Sequence, residues 1–177
     1  MRLMRSPRGR LHRMAIFGLH AFSALVVILM LSACVAAFPE QRSWPIPRWR
    51  LVVPSLLITV ATLVLLYLPP SNDLRELEVW VAALVAAVLG AARGALIGLQ
   101  VDQASGKLRL LRAPEAFWIA LLAVLLVLGD RLAEPLGHVG HSFSQTVELV
   151  LAILASFLIG RNTALVMRIR DTPHGDL

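Results

Sequence analysis

Five apolar runs, each 18 to 25 residues long, make up most of this 177-residue chain and constrain its fold more than any other feature. They cover residues 14–38, 51–68, 79–99, 116–133 and 146–167. A helix rises about 1.5 Å per residue, so about 20 residues cross the ~30 Å of bilayer hydrocarbon. In that medium an open strand edge leaves backbone groups without partners, and these runs lack the alternation of barrel strands. The expectation is therefore all-α: one polytopic transmembrane helical bundle of five helices, or four if the first segment is cleaved or re-entrant. With 58% hydrophobic and 16% charged residues, the mean hydropathy of +0.74 is far above that of a soluble domain.

The breaks fall where such a division needs them. Pro39, Pro45 and Pro47 follow the first run, and Pro69-Pro70 ends the second. Pro114 opens the fourth, with Glu115 in its first turn, a favoured helix start. Trp49, Tyr67, Trp80 and Trp118 lie near predicted helix ends, where aromatic side chains anchor at the membrane interface. Between the third and fourth runs, residues 101–110 alternate Lys107 and Arg109 with Leu108 and Leu110 after Ser105-Gly106, which predicts a short cytoplasmic hairpin.

A formal charge of +6 and a pI near 11.2 would point to nucleic acid in a soluble chain. Here Arg2, Arg5, Arg8, Arg10 and Arg13 form a basic arm over residues 1–13, and the remainder carries only +1. Nucleic acid is not an expected partner; the lipid bilayer is, together with a second copy or another membrane protein. Cytoplasmic loops carry the Lys and Arg excess. The loop with Arg42, Arg48 and Arg50, the loop with Lys107, Arg109 and Arg112, and the tail with Arg168 and Arg170 therefore belong inside. The loop with Asp73, Arg75, Glu76 and Glu78, and the loop 137–142, belong outside. Five crossings satisfy every loop and place the C-terminus in the cytoplasm, yet they put the basic arm on the wrong face. Translation starting at Met14 rather than Met1 removes the conflict; a re-entrant first segment or a translocated arm are the alternatives. Residues 171–177 form a polar tail.

Leu31-Ser32-Ala33-Cys34 resembles a bacterial lipobox, which would make Cys34 a lipidation site. Cleavage there would move two basic loops outside, against the charge rule. A single cysteine also excludes an intrachain disulfide and any cysteine-based metal cluster.

Small residues recur at every fourth position of the third run, Ala82, Ala86, Gly90, Gly94 and Gly98, beside a second stripe of Ala83, Ala87, Ala91 and Ala95. Such stripes let helices approach closely in lipid, and the pattern leaves open whether the partner helix is in the same chain. Arg93 and Arg161 each lie six residues from the cytoplasmic end of a run, about 9 Å inside it. Each is read either as snorkelling to the headgroups or as binding an anionic ligand, a lipid phosphate or the Glu115 carboxylate. Asp130, Arg131, Glu134 and Glu148 near the outer side form either an interfacial ion-pair network or the mouth of a proton or cation path. His138 and His141 are weak metal candidates in a solvated loop, with Glu134 or Glu148 as a third ligand, and no defined metal motif surrounds them. His20 alone lies within a run, so intrachain bis-histidine haem is not expected, and no cofactor is. No phosphate-binding glycine loop, HExxH motif or nucleophile elbow occurs, so no catalytic residue is assigned.

From Pro47-Arg48-Trp49-Arg50 to Arg112, with Gly90, Arg93-Gly94, Gly98, Asp102 and Ser105-Gly106 between, the order of features resembles the CcdC-like family of small bacterial multi-pass membrane proteins. The resemblance covers a third to a half of the chain, and the fifth run and basic arm depart from that family's four-helix plan. It implies a bacterial inner-membrane protein. The functional expectation is a non-enzymatic assembly or accessory factor; a small transporter or channel using intramembrane charge, and a lipid-acting membrane enzyme, are the alternatives.

Overall fold

The computed structural model describes residues 8–42, 44, 46–67, 73–102, 107–111, 113–133 and 141–171, with side chains described only from Ala24 onward in the first helix. Five helices follow the five apolar runs: α1 (Arg8–Gln41), α2 (Val53–Tyr67), α3 (Asp73–Leu96), α4 (Glu115–Ala133) and α5 (His141–Asp171). Four stretches are long and apolar enough to cross a membrane: Ala24–Gln41, Arg48–Leu65, Leu77–Leu96 and Gln145–Ile169. α4 spans 19 residues and carries charge at both ends, Glu115 in its first turn and Arg131 in its last.

The helices alternate in direction. α1, α3 and α5 run toward a small sheet, whereas α2 and α4 start from it, as short connections between successive antiparallel helices require. The main core packs α1, α2, α4 and α5 through Val26, Met30, Ala33, Ile58, Ala120, Val127, Leu151 and Leu158. α3 stands outside this group and packs chiefly on α5, with Leu77, Trp80, Leu84, Val88 and Leu96 facing outward. An outward face of large apolar side chains suits contact with lipid chains, which have no need of close backbone approach.

The hairpin forms as β2 (Gly98–Asp102) and β3 (Lys107–Leu111), paired antiparallel with Val101 opposite Leu108 and Asp102 opposite Lys107. Its predicted turn, Ser105-Gly106, lies outside the described residues. A third strand, β1 (Ile46–Pro47), pairs with β3, giving the order β1-β3-β2. Sequence alone does not suggest β1, because two residues carry no periodicity and one is proline. Pro47 is tolerated since β1 is an edge, where a missing N–H breaks no ladder. Leu108 and Leu110 turn to one face of β3 and form a second core with Ile46, Leu51, Ile97 and Leu165, so the sheet is fixed to the end of α5.

Several boundaries differ from the apolar runs: α1 begins at Arg8 within the basic arm, α3 at Asp73 within the acidic loop, and α5 spans His141–Asp171, because helices extend past the apolar stretch into polar flanks. α1 continues through Pro39 to Gln41 rather than stopping at Phe38. A proline in the last turn costs one ladder bond, and the Pro39 carbonyl is satisfied by the Trp44 amide at 3.1 Å. α3 ends at Leu96, so Gly98 belongs to β2 opposite Leu111 and lies off the helical stripe. Where α3 ends, the Gly94 carbonyl in its last turn and the Ile97 carbonyl just beyond it accept hydrogen bonds from Arg168 Nη1 at 3.3 and 2.7 Å, a cap supplied by α5.

The glycines of α3 and α5 form the closest helix contact. A Cβ on Gly90 would run into the Phe157 carbonyl, one on Gly94 into the Arg161 carbonyl, and one on Gly160 into the Ala87 carbonyl. The partner helix of the stripe is thus in the same chain, and it brings its own glycine. Gly129 of α4 has open space around it. Gly129→Ala is expected to be neutral or to stabilise by about 0.5–1 kcal/mol through helix propensity. A drop in thermal midpoint on that change would mean that α4 needs the glycine for a contact made by another molecule.

Candidate functional site

Two ion pairs sit side by side at the sheet end of the bundle. Arg161 of α5, the largest fully buried side chain, donates from Nη2 to Glu40 Oε2 of α1 at 3.1 Å. Its Nη1 donates to Asn162 Oδ1 at 3.0 Å. That bond fixes the orientation of the Asn162 amide, whose Nδ2 donates to the Leu51 carbonyl at 2.9 Å and to Ser55 Oγ at 3.1 Å. Ser55 Oγ in turn donates to the Val52 carbonyl at 2.8 Å. One continuous chain of hydrogen bonds therefore ties the end of α1 through α5 to the start of α2.

The second pair joins α3 to α4. Arg93 donates to Glu115 Oε1 from Nε at 2.8 Å and also from Nη2. Arg93 is 44% exposed and Glu115 24%, against 0% and 1% for Arg161 and Glu40. The contrast sets their energetic weight. With Arg93 near the end of its span and able to snorkel to the headgroup water, its pair contributes about 0–1 kcal/mol, while removing one partner of a buried pair costs about 3–5 kcal/mol. Arg93→Gln is accordingly expected to shift stability by less than about 1 kcal/mol in a thermal melt. A loss as large as that of an Arg161 variant would show that the partly exposed pair is also essential to the fold.

Both pairs lie at one depth. Phe38 and Phe117 meet edge to face with centroids 6.0 Å apart on the antiparallel α1 and α4. Glu40 follows Phe38 by two residues and Glu115 precedes Phe117 by two, so the carboxylates share a level and feel each other's charge. Gly94, beside Arg93, packs on the Arg161 backbone, which brings the two arginines to that level as well. Among the described residues, Glu40 Oε1, Glu115 Oε2 and Arg161 Nε are buried without a hydrogen-bond partner.

The sequence reading named Glu115 as one possible partner for the intramembrane arginines, and Arg93 takes it. Arg161 is engaged by Glu40, which lies two residues beyond the predicted end of the first run at Phe38. Asn162 and Ser55 were not singled out either. The available signal was the run Arg161-Asn162 inside an apolar span, two costly polar groups that must find internal partners. Cys34 lies mid-helix in α1, half-buried against the main core. Asp130, Arg131 and Glu148 each have an interaction partner. Glu134 and His138 fall outside the described residues, and His141 opens α5 with its side chain outside them. Among the described residues no three His, Cys, Asp or Glu side chains come together to hold a metal.

In comparisons with known proteins, no family model, curated protein or solved structure matches the chain. The fold itself gives the class: an α-helical bundle with the long apolar helices of a membrane protein.

Proposed function

We propose that the chain is a multi-pass protein of the bacterial cytoplasmic membrane that works as a non-enzymatic assembly or accessory factor, with the sheet and C-terminus on the cytoplasmic side. The observation that carries this reading is the environment of Arg161. A fully buried guanidinium held by Glu40 and Asn162 is committed to joining helices, and it presents no charge to a ligand. The resemblance of residues 47–112 to the CcdC-like family favours the same class. Orientation follows from charge, since Arg42, Arg48, Arg50, Lys107 and Arg168 gather at the sheet end, whereas Glu78, Asp130, Arg131 and Glu148 lie toward the other.

Retention of the first helix belongs to this reading. Cleavage before Cys34 would remove Val26, Met30 and Ala33 from the core. Intact-protein mass spectrometry is expected to find a chain that still includes α1, starting at Met1 or Met14; an acylated chain beginning at Cys34 would overturn it. Orientation is tested in a Cys34→Ser background, where a Lys107→Cys thiol should react with a membrane-impermeant maleimide only after cells are opened. The accessory role predicts that crosslinking in native membranes traps a defined complex larger than the monomer. A monomer with no crosslinked partner would count against it.

A second reading, a small transporter or channel, is favoured by one observation: two buried carboxylate oxygens, Glu40 Oε1 and Glu115 Oε2, lie unpartnered at the same depth. It predicts that Glu115→Gln abolishes a proton or cation flux in vesicles while insertion is unchanged. No flux with the parent protein would remove this reading for the ions tested.

A further inference from the structure

We infer that the sheet end of the bundle carries a binding surface for anionic phospholipid headgroups, built from Arg42, Trp44, Arg48, Trp49 and Lys107. The inference rests on the reading of the helices as membrane-spanning and moves the lipid contact away from Arg93 and Arg161. Those two arginines are occupied by Glu115 and Glu40.

The cations that remain are placed differently. Arg42 leaves α1 one residue past its end, with its guanidinium 5.0 Å from the Phe38 ring centroid and 5.7 Å from that of Trp44. Stacking against two rings orients the guanidinium while leaving it exposed, which lowers the entropy lost when it grips an anion. Pro47 pairs with Lys107 across the sheet, so Arg48, the residue that leaves β1, follows directly on that pairing, and both Arg48 and Lys107 are exposed. Lys107 stands directly opposite Asp102 in the β2–β3 ladder, whereas among the described residues neither Arg42 nor Arg48 forms an ion pair with a carboxylate.

Trp44 is 50% exposed and Trp49 68%, and both stand where α1 ends and the span from Arg48 begins. Exposed indoles beside the Arg42 and Arg48 guanidiniums, at the depth where apolar helices give way to loops, match the layered chemistry of a leaflet surface. A soluble phosphate would satisfy the cations and leave the indoles in water. The occupant that satisfies both is a phospholipid with a net negative headgroup.

The test is native mass spectrometry of the full chain released from nanodiscs of mixed phosphatidylglycerol and phosphatidylcholine. The parent protein is expected to retain phosphatidylglycerol preferentially. Arg42→Gln combined with Arg48→Gln should lower that preference about 25-fold, near fivefold for each cation. Arg75→Gln, at the opposite end of the bundle, should leave it intact. Equal retention of the two lipids by the parent, or an unchanged preference in the double variant, overturns the surface. Displacement of the lipid by millimolar glycerol phosphate would also overturn it, by showing a site for free phosphate. Helicity and insertion are read in parallel. Failure of the parent chain to insert would strike the membrane reading, whereas normal insertion without lipid preference strikes this surface alone. A second measurement needs no variant: brominated phosphatidylglycerol should quench tryptophan fluorescence more than brominated phosphatidylcholine does.

Discussion

Arg161→Met is expected to destabilise the protein by about 3–5 kcal/mol, the largest loss of any single side chain in the bundle, because it strands the Glu40 carboxylate in an apolar interior. Glu40→Leu alone should cost a similar amount by leaving the guanidinium unpaired. The double variant, Glu40→Leu with Arg161→Met, should recover most of the loss and can exceed the parent, since a well-packed apolar pair avoids desolvating two charges. The coupling is read from a double-mutant cycle of unfolding midpoints in detergent. Asn162→Leu removes the bonds to the Leu51 carbonyl and Ser55 and also the acceptor for Arg161 Nη1, so it should weaken the start of α2 while leaving the Glu40–Arg161 pair itself in place. An Arg161→Met protein as stable as the parent would show that the ion pair has no structural weight, and the assignment of Arg161 to helix joining would fail with it.

Gly160→Val should disrupt the α3–α5 contact at a cost of about 3 kcal/mol or more. A Cβ there would overlap the Ala87 carbonyl, and backbone cannot step aside as a flexible side chain does. The change is expected to abolish a crosslink engineered between α3 and α5 and to expose α3 to protease. Gly94→Leu should act in the same direction, within the monomer and at any protein concentration. A concentration-dependent defect would instead locate the stripe between two copies. Gly129→Ala serves as the contrast, being the same chemistry where nothing lies nearby.

Part of the site was readable from spacing. Arg93 and Arg161 fall at matched distances from the ends of their runs, and the structure sets Gly94 against the Arg161 backbone. Glu115, placed one residue after Pro114, was recognisable as a first-turn acid and as a partner for those arginines. Glu40 was not, because a proline before it reads as the end of a helix, and only the pairing with a residue 121 positions away shows why the helix continues. β1 was hidden for a related reason, since two residues make a strand only when β3 is beside them.

What the sequence by itself determined is the number and alternation of the helices, because bilayer thickness and backbone hydrogen bonding act on each apolar run separately. It also determined the uneven charge of the two ends, a property of the loops taken one at a time. Tertiary structure decided which groups neutralise which. Arg161 chose Glu40, Arg93 chose Glu115, and the α3 stripe met Gly160 of the same chain. Such choices depend on how helices rotate and pack against one another. No local pattern encodes that rotation, because the desolvation that penalises an unpaired charge is felt only once the neighbouring helix has arrived.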